Sequence, residues 1–76
     1  MIHTKTPRGF RVVRFFDRYD MECSLQESSL ATEDAIWLGV DTHNDPNNRM
    51  HLTQEQVARL LPYLQHFADT GHIGEW

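Results

Sequence analysis

Three short apolar runs followed by one stretch of helical periodicity set the expected order of elements along this chain. Phe10-Arg11-Val12-Val13-Arg14-Phe15-Phe16 is rich in β-branched and aromatic residues and reads as a strand, opened by Pro7 and Gly9. Asp17-Arg18-Tyr19-Asp20 supplies turn-formers. Met21, Cys23 and Leu25 then fall on one side of Met21-Glu22-Cys23-Ser24-Leu25, so the two runs predict a β-hairpin. Ala35-Ile36-Trp37-Leu38-Gly39-Val40 reads as a third strand with Ile36, Leu38 and Val40 on one face and Trp37 and Gly39 on the other. Gly39 leaves room for an aromatic ring or another backbone. Gln26 to Asp34 and Asp41 to Asn48, with Asp45-Pro46-Asn47-Asn48 at the centre of the second, read as polar loops, and Arg49-Met50-His51-Leu52 as a brief last strand.

At Thr53 the period changes. Thr53-Gln54-Glu55-Gln56 has the spacing of a capping box, in which the Thr53 hydroxyl and the Gln56 amide satisfy the first helical N–H groups reciprocally. Val57, Leu60, Leu61, Leu64 and Ala68 recur at three- and four-residue steps, Phe67 widens the stripe, and Gly71 sits where a left-handed C-cap belongs. The predicted helix runs to about Asp69, with a bend at Pro62, whose ring removes one donor and crowds the Ala58 carbonyl.

These elements predict an α+β fold: an antiparallel sheet of three to four strands with one C-terminal helix packed on one face. Residues 1–8 read as a polar arm, 9–71 as the domain and 72–76 as a tail. One helix cannot cover both faces of a sheet. The aromatic set Phe10, Phe15, Phe16, Tyr19 and Trp37 must divide between them, and the uncovered members would mark a dimer interface or a target surface.

Composition narrows the function. A chain of 76 residues supports one small core. A net charge of −4 and a pI near 5.6 argue against general binding to nucleic acid or to an anionic membrane. The single cysteine, Cys23, excludes an intramolecular disulfide and fits a reducing compartment. No signal-like apolar segment and no membrane-length apolar run is present, so the expected location is a cytoplasm. The charge is also segregated. Lys5, Arg8, Arg11, Arg14 and Arg18 precede a stretch, Tyr19 to Asn48, that lacks Lys and Arg but carries Asp20, Glu22, Glu27, Glu33, Asp34, Asp41 and Asp45. Such a stretch repels nucleic acid and attracts basic surfaces, if it is not simply a solvated face.

Chemistry-bearing patterns are weak by comparison. Asp41-Thr42-His43-Asn44-Asp45 resembles part of a calcium loop, but the positions that require glycine and a carboxylate hold Pro46 and Leu52. The five histidines and Cys23 show no zinc spacing. No G-x-S-x-G elbow or glycine-rich phosphate loop supports Ser28, Ser29 or Cys23 as a nucleophile, and Cys23 falls on the apolar side of its strand. The expectation is a protein that is not an enzyme and holds no metal or cofactor. Arg11 and Arg14 among phenylalanines resemble a base-stacking sheet, yet the surrounding acids oppose phosphate, and cross-strand pairing of these arginines with Glu22, Glu27 or Asp41 accounts for them.

Gly9-Phe10, the block Phe16 to Ala31, Ile36-Trp37-Leu38-Gly39 and Arg49-Met50-His51-Leu52-Thr53 together resemble a group of small proteins encoded by bacteriophages and prophages. The resemblance covers most of residues 9–71, and the loop from Val40 to Asn48 is shorter than is usual in that group. It implies a host-cytoplasmic setting. In size and charge the chain is also similar to anti-CRISPR proteins and other anti-defence inhibitors. Together with the charge map, this predicts an inhibitor that binds a basic, nucleic-acid-handling host protein or ribonucleoprotein complex and blocks target DNA. Glu27, Glu33, Asp34, Asp41 and Asp45 are the expected steering charges and Trp37 or Tyr19 the apolar anchor. Two alternatives stand beside it: a phage accessory module that homodimerises through its open sheet face, and a small-nucleotide sponge in which Arg11, Arg14 and Arg49 hold phosphates.

Overall fold

A computed structural model of the chain describes residues 1–41 and 49–76. Four strands, β1 (Ile2–Lys5), β2 (Arg11–Phe16), β3 (Glu22–Glu27) and β4 (Ile36–Val40), pair antiparallel in chain order, and one helix, α1 (Gln54–Thr70), follows them. This is the α+β architecture the patterning predicts. The first two connections are built alike. Gly9 N donates to Thr6 O at 2.8 Å and Asp20 N to Asp17 O at 3.2 Å, and each turn closes on a residue of positive φ, Gly9 at 90° and Asp20 at 59°. A tight turn ended by a left-handed residue matches the twist of the strands it joins, and aspartate tolerates that conformation better than most side chains.

Register decides what the helix covers. Val13, Leu25 and Leu38 lie in one cross-strand row and Phe15, Cys23 and Val40 in the next, all on the face that receives Leu60. Val13, Phe15, Cys23, Leu25, Leu60 and Ile73 form the buried centre, with Tyr63, Leu64, Phe67, Met50, Leu52 and Trp76 packed around it. Each such large apolar side chain contributes roughly 1.5–3 kcal/mol on burial. The capping box forms as its spacing predicts: Gln56 N donates to Thr53 Oγ1 at 3.1 Å and Thr53 N to Gln56 Oε1 at 2.9 Å. Gln56 Nε2 also donates to Phe16 O, tying the start of α1 to the end of β2. Gly71 ends the helix at φ 82° with its N–H on Phe67 O, and a Cβ there would meet the Asp34 carboxylate.

Three expectations need correction. The fourth strand is not Arg49–Leu52, which forms no strand; it is Ile2–Lys5, inside the segment read as a polar arm. Arg49–Leu52 is held by Arg18 N on His51 O and by His51 N on Asp17 Oδ2, while Met50 and Leu52 pack on the core. Nor are residues 72–76 a free tail. Ile73 is buried, the Trp76 indole stacks on His3 with centroids 3.9 Å apart, and Trp76 Nε1 donates to Thr4 O. Tyr63 completes the arrangement through a 2.7 Å hydrogen bond between its hydroxyl and His3 Nε2. The domain therefore includes both end segments.

Candidate partner-binding surface

Strand alternation places Ile2, Thr4, Val12, Arg14, Phe16, Glu22, Ser24, Gln26, Trp37 and Gly39 on the face opposite the helix. Successive rows across this face read Thr4, Val12, Gln26, Trp37, then Ile2, Arg14, Ser24, Gly39, and finally Phe16 beside Glu22. Three large apolar side chains stand exposed here: Trp37 at 68%, Ile2 at 65% and Phe16 at 55%. Between them runs a polar cluster. Ser24 Oγ donates to Asp41 Oδ1 at 2.6 Å and Arg14 Nη1 to Asp41 Oδ2 at 3.3 Å, so the arginine at the middle of the face is already neutralised.

The acids of the central run do not form one surface. Glu27, expected as a steering charge, is 7% exposed on the inward side of β3. Its carboxylate accepts from Arg11 N at 3.1 Å and Ile73 N at 3.0 Å, pairs with the Arg11 guanidinium at 3.5 Å, and has His72 Nδ1 at 3.4 Å. Burial alone would raise this carboxyl, but the Ile73 and Arg11 N–H groups and the nearby cations outweigh it and hold it below its ordinary value. Asp41 is half-buried and occupied by Arg14 and Ser24. The cross-strand pairing of Arg11 and Arg14 with acids is thus what forms. Glu33 and Asp34 remain exposed on the loop before β4 and make no ion pair among the described residues. Asp20 and Glu22 are also exposed, but at the other end of β3, a strand about 17 Å long. Asp45, and the His43 and Asn44 of the calcium-like stretch, lie outside the described residues.

Asp17 was not among the expected functional residues, and it is the other buried carboxylate, at 3% exposure. Oδ1 accepts from Tyr19 N at 2.8 Å and Met21 N at 3.0 Å, and Oδ2 from His51 N at 3.2 Å. Burial alone would raise its pKa, yet these three donors, with a further favourable charge effect from His51, leave it lowered. Its position at the head of Asp-Arg-Tyr-Asp was the available signal, since aspartate there commonly bonds the backbone two residues on.

A concavity of about 570 Å³ opens at the end of the sheet where Ile2, Phe16 and Glu22 approach Gln56 and Arg59 of the helix. Its two arginines are engaged: Arg59 pairs with Glu55 at 2.8 Å and Arg14 with Asp41. Cys23 borders it but is a poor nucleophile, because burial, reinforced by the Asp17 and Asp41 charges, pushes its thiol up to about 11. Native protein at neutral pH is accordingly expected to react with a chromogenic disulfide reagent at least about 100-fold more slowly than a free cysteine. Full-rate reaction should return in urea; fast native labelling would show that the thiol is accessible and ionised. Among the described residues no group of three or more His, Cys, Asp and Glu side chains is gathered to hold a metal, and no helix is long and apolar enough to cross a membrane. Comparisons with protein-family models, with curated proteins and with solved structures found no match.

Proposed function

We propose that this chain acts by binding a protein partner through its uncovered sheet face, and that it performs no reaction of its own. The observation that carries this reading is the exposure of Trp37, Ile2 and Phe16 on one face, around a polar cluster whose charges already satisfy one another. Aromatic anchors that lose water on contact dominate most protein interfaces. The partner we assign is a basic, nucleic-acid-handling host complex, so that the protein works as an anti-defence inhibitor by occluding target DNA. Exposed acids, though divided between the two ends of β3, favour a basic partner. Glu22, Glu33 and Asp34 are exposed without a cationic partner among the described residues, and the net charge is −4. The electrostatic component is smaller than the sequence implies, because Glu27 and Asp41 are consumed inside the fold. The same pairing weakens the nucleotide-sponge alternative, since Arg11 and Arg14 are held by carboxylates.

Purified CRISPR surveillance complexes, assayed for target-DNA binding with and without this protein, test the proposal. Trp37→Ala and Phe16→Ala are each expected to weaken inhibition by about tenfold or more, as loss of a central anchor does. Glu33→Lys combined with Asp34→Lys is expected to slow association and flatten its salt dependence. Inhibition insensitive to all of these changes would remove the assigned face, and absence of inhibition across the panel would remove the assigned partner.

A further inference from the structure

The two edges of the sheet are treated differently by the sequence. On β1, Lys5 supplies a charge and the Trp76 indole covers His3, which are ordinary protections against strand addition. On β4 the residues are Ile36-Trp37-Leu38-Gly39-Val40, without a charge or a proline, and among the described residues no side chain bonds across its outer edge. The bonding phase of this strand is set by its inner neighbour. Asp41 N donates to Glu22 O and Ser28 N to Ala35 O, so the odd-numbered residues of β4 bond to β3. Ile36, Leu38 and Val40 therefore turn their N–H and C=O groups outward, and among the described residues nothing bonds to them.

We propose that this edge pairs antiparallel with the β4 edge of a second copy of the chain, about a two-fold axis at Leu38, making one continuous sheet across both copies. The fit is self-complementary in three respects. First, the outward groups are symmetric about Leu38: Leu38 meets Leu38 of the copy, and Ile36 meets Val40, so every outward N–H finds an outward C=O. Second, Leu38 is 40% exposed although it points to the helix side, and the flank of α1 on that side carries exposed Val57 and Leu61. The other flank is fixed by Tyr63 on His3 and by Arg59 near Ile2, which puts Val57 and Leu61 toward β4. Pairing would cover the Leu38 side chains and roof them with these apolar flanks. Third, the same register sets Trp37 opposite Gly39 of the copy, in a closely spaced pair on the open face. A Cβ at Gly39 would meet nothing within 4 Å and its φ is not positive, so nothing inside one chain requires glycine there. Across the axis it provides bare backbone on which an indole can lie.

This inference does not rest on the host partner, and it places the dimer at the strand edge rather than on the sheet face. A five-residue edge buries less than a standard interface, so the dimer should dissociate on dilution. Sedimentation over a dilution series, joined to amide exchange by NMR, is the test. The expected result is a monomer–dimer equilibrium in which the Ile36, Leu38 and Val40 amides become protected as concentration rises, while those of Trp37 and Gly39 are protected throughout. Leu38→Lys should shift the equilibrium toward monomer by about tenfold or more while leaving the Trp37 and Gly39 amides protected, which verifies that the variant folds. An isotope-filtered contact from the Trp37 ring of one copy to Gly39 of the other should appear in mixed samples. A monomer at every concentration, or a dimer that leaves the three outward amides exchanging freely, would overturn the proposal.

Discussion

Asp17→Ala is expected to remove about 2–4 kcal/mol, enough to leave much of the protein unfolded at room temperature. The side chain is buried and its two oxygens serve three backbone donors, Tyr19, Met21 and His51. Each donor abandoned without a partner costs roughly 1–3 kcal/mol, at the lower end where water can reach it. A single core of this size supplies only about 3–5 kcal/mol in total. The loss is also architectural, because His51 N on Asp17 Oδ2 ties the chain entering α1 to the β2–β3 turn. Asp17→Asn separates the two roles: its carbonyl oxygen can still serve Tyr19 and Met21, but its amide presents a donor to His51, so an intermediate loss is expected. Urea unfolding measures both; an alanine variant as stable as the parent would show that the bonds contribute nothing net.

The same carboxylates set the acid limit of the fold. Asp17 and Glu27 both have folded pKa values below their ordinary ones, so the stability they contribute is fully present above the ordinary carboxylate range near pH 4. It is lost as pH falls through the folded values, because the unfolded chain then binds more protons. Unfolding midpoints should therefore drop steeply below about pH 4, and Asp17→Asn should show a shallower drop than its parent.

Local signals carried most of the fold. The capping box, the three- and four-step stripe and the left-handed glycine delimit α1 because each acts within a few residues. β2 follows from its β-branched and aromatic content, and β3 and β4 from alternation. β1 was hidden because Ile2-His3-Thr4-Lys5 is mostly polar and is secured by Trp76 and Tyr63, partners from the opposite end of the chain that no local pattern displays. For the candidate surface, Trp37 was legible from alternation alone. The acidic run misled at Glu27 because linear charge density ignores strand phase: Glu27 is in step with Cys23 and Leu25, and that phase, correctly read for its neighbours, points the carboxylate inward. Asp41 is likewise drawn out of any acidic patch by Arg14, which reaches it from β2 across the same open face.

Reversing Glu27 therefore distinguishes a steering charge from a structural one. Were it a surface contact, Glu27→Lys would change partner binding and leave stability alone. In this fold it is the latch between the sheet and the segment after α1, holding the Ile73 N–H and Arg11 together on the inner face. Glu27→Ala strands the Ile73 N–H and leaves Arg11 without its counterion, and breaking such a buried pair from one side typically costs about 3–5 kcal/mol. A loss near the lower figure is expected, because the Arg11 side chain retains some access to water and its Nε keeps the Trp76 carbonyl at 2.9 Å. Glu27→Lys should be worse, since it sets a second cation against Arg11 at a position that is itself buried. The paired replacement Glu27→Leu with Arg11→Met should recover much of the stability, as apolar substitutes for buried ion pairs often do. Denaturation midpoints for the set, with exchange of the Ile73 amide as the local reporter, decide the matter: a stable Glu27→Lys variant with a protected Ile73 amide would return Glu27 to the surface and the latch to the discard.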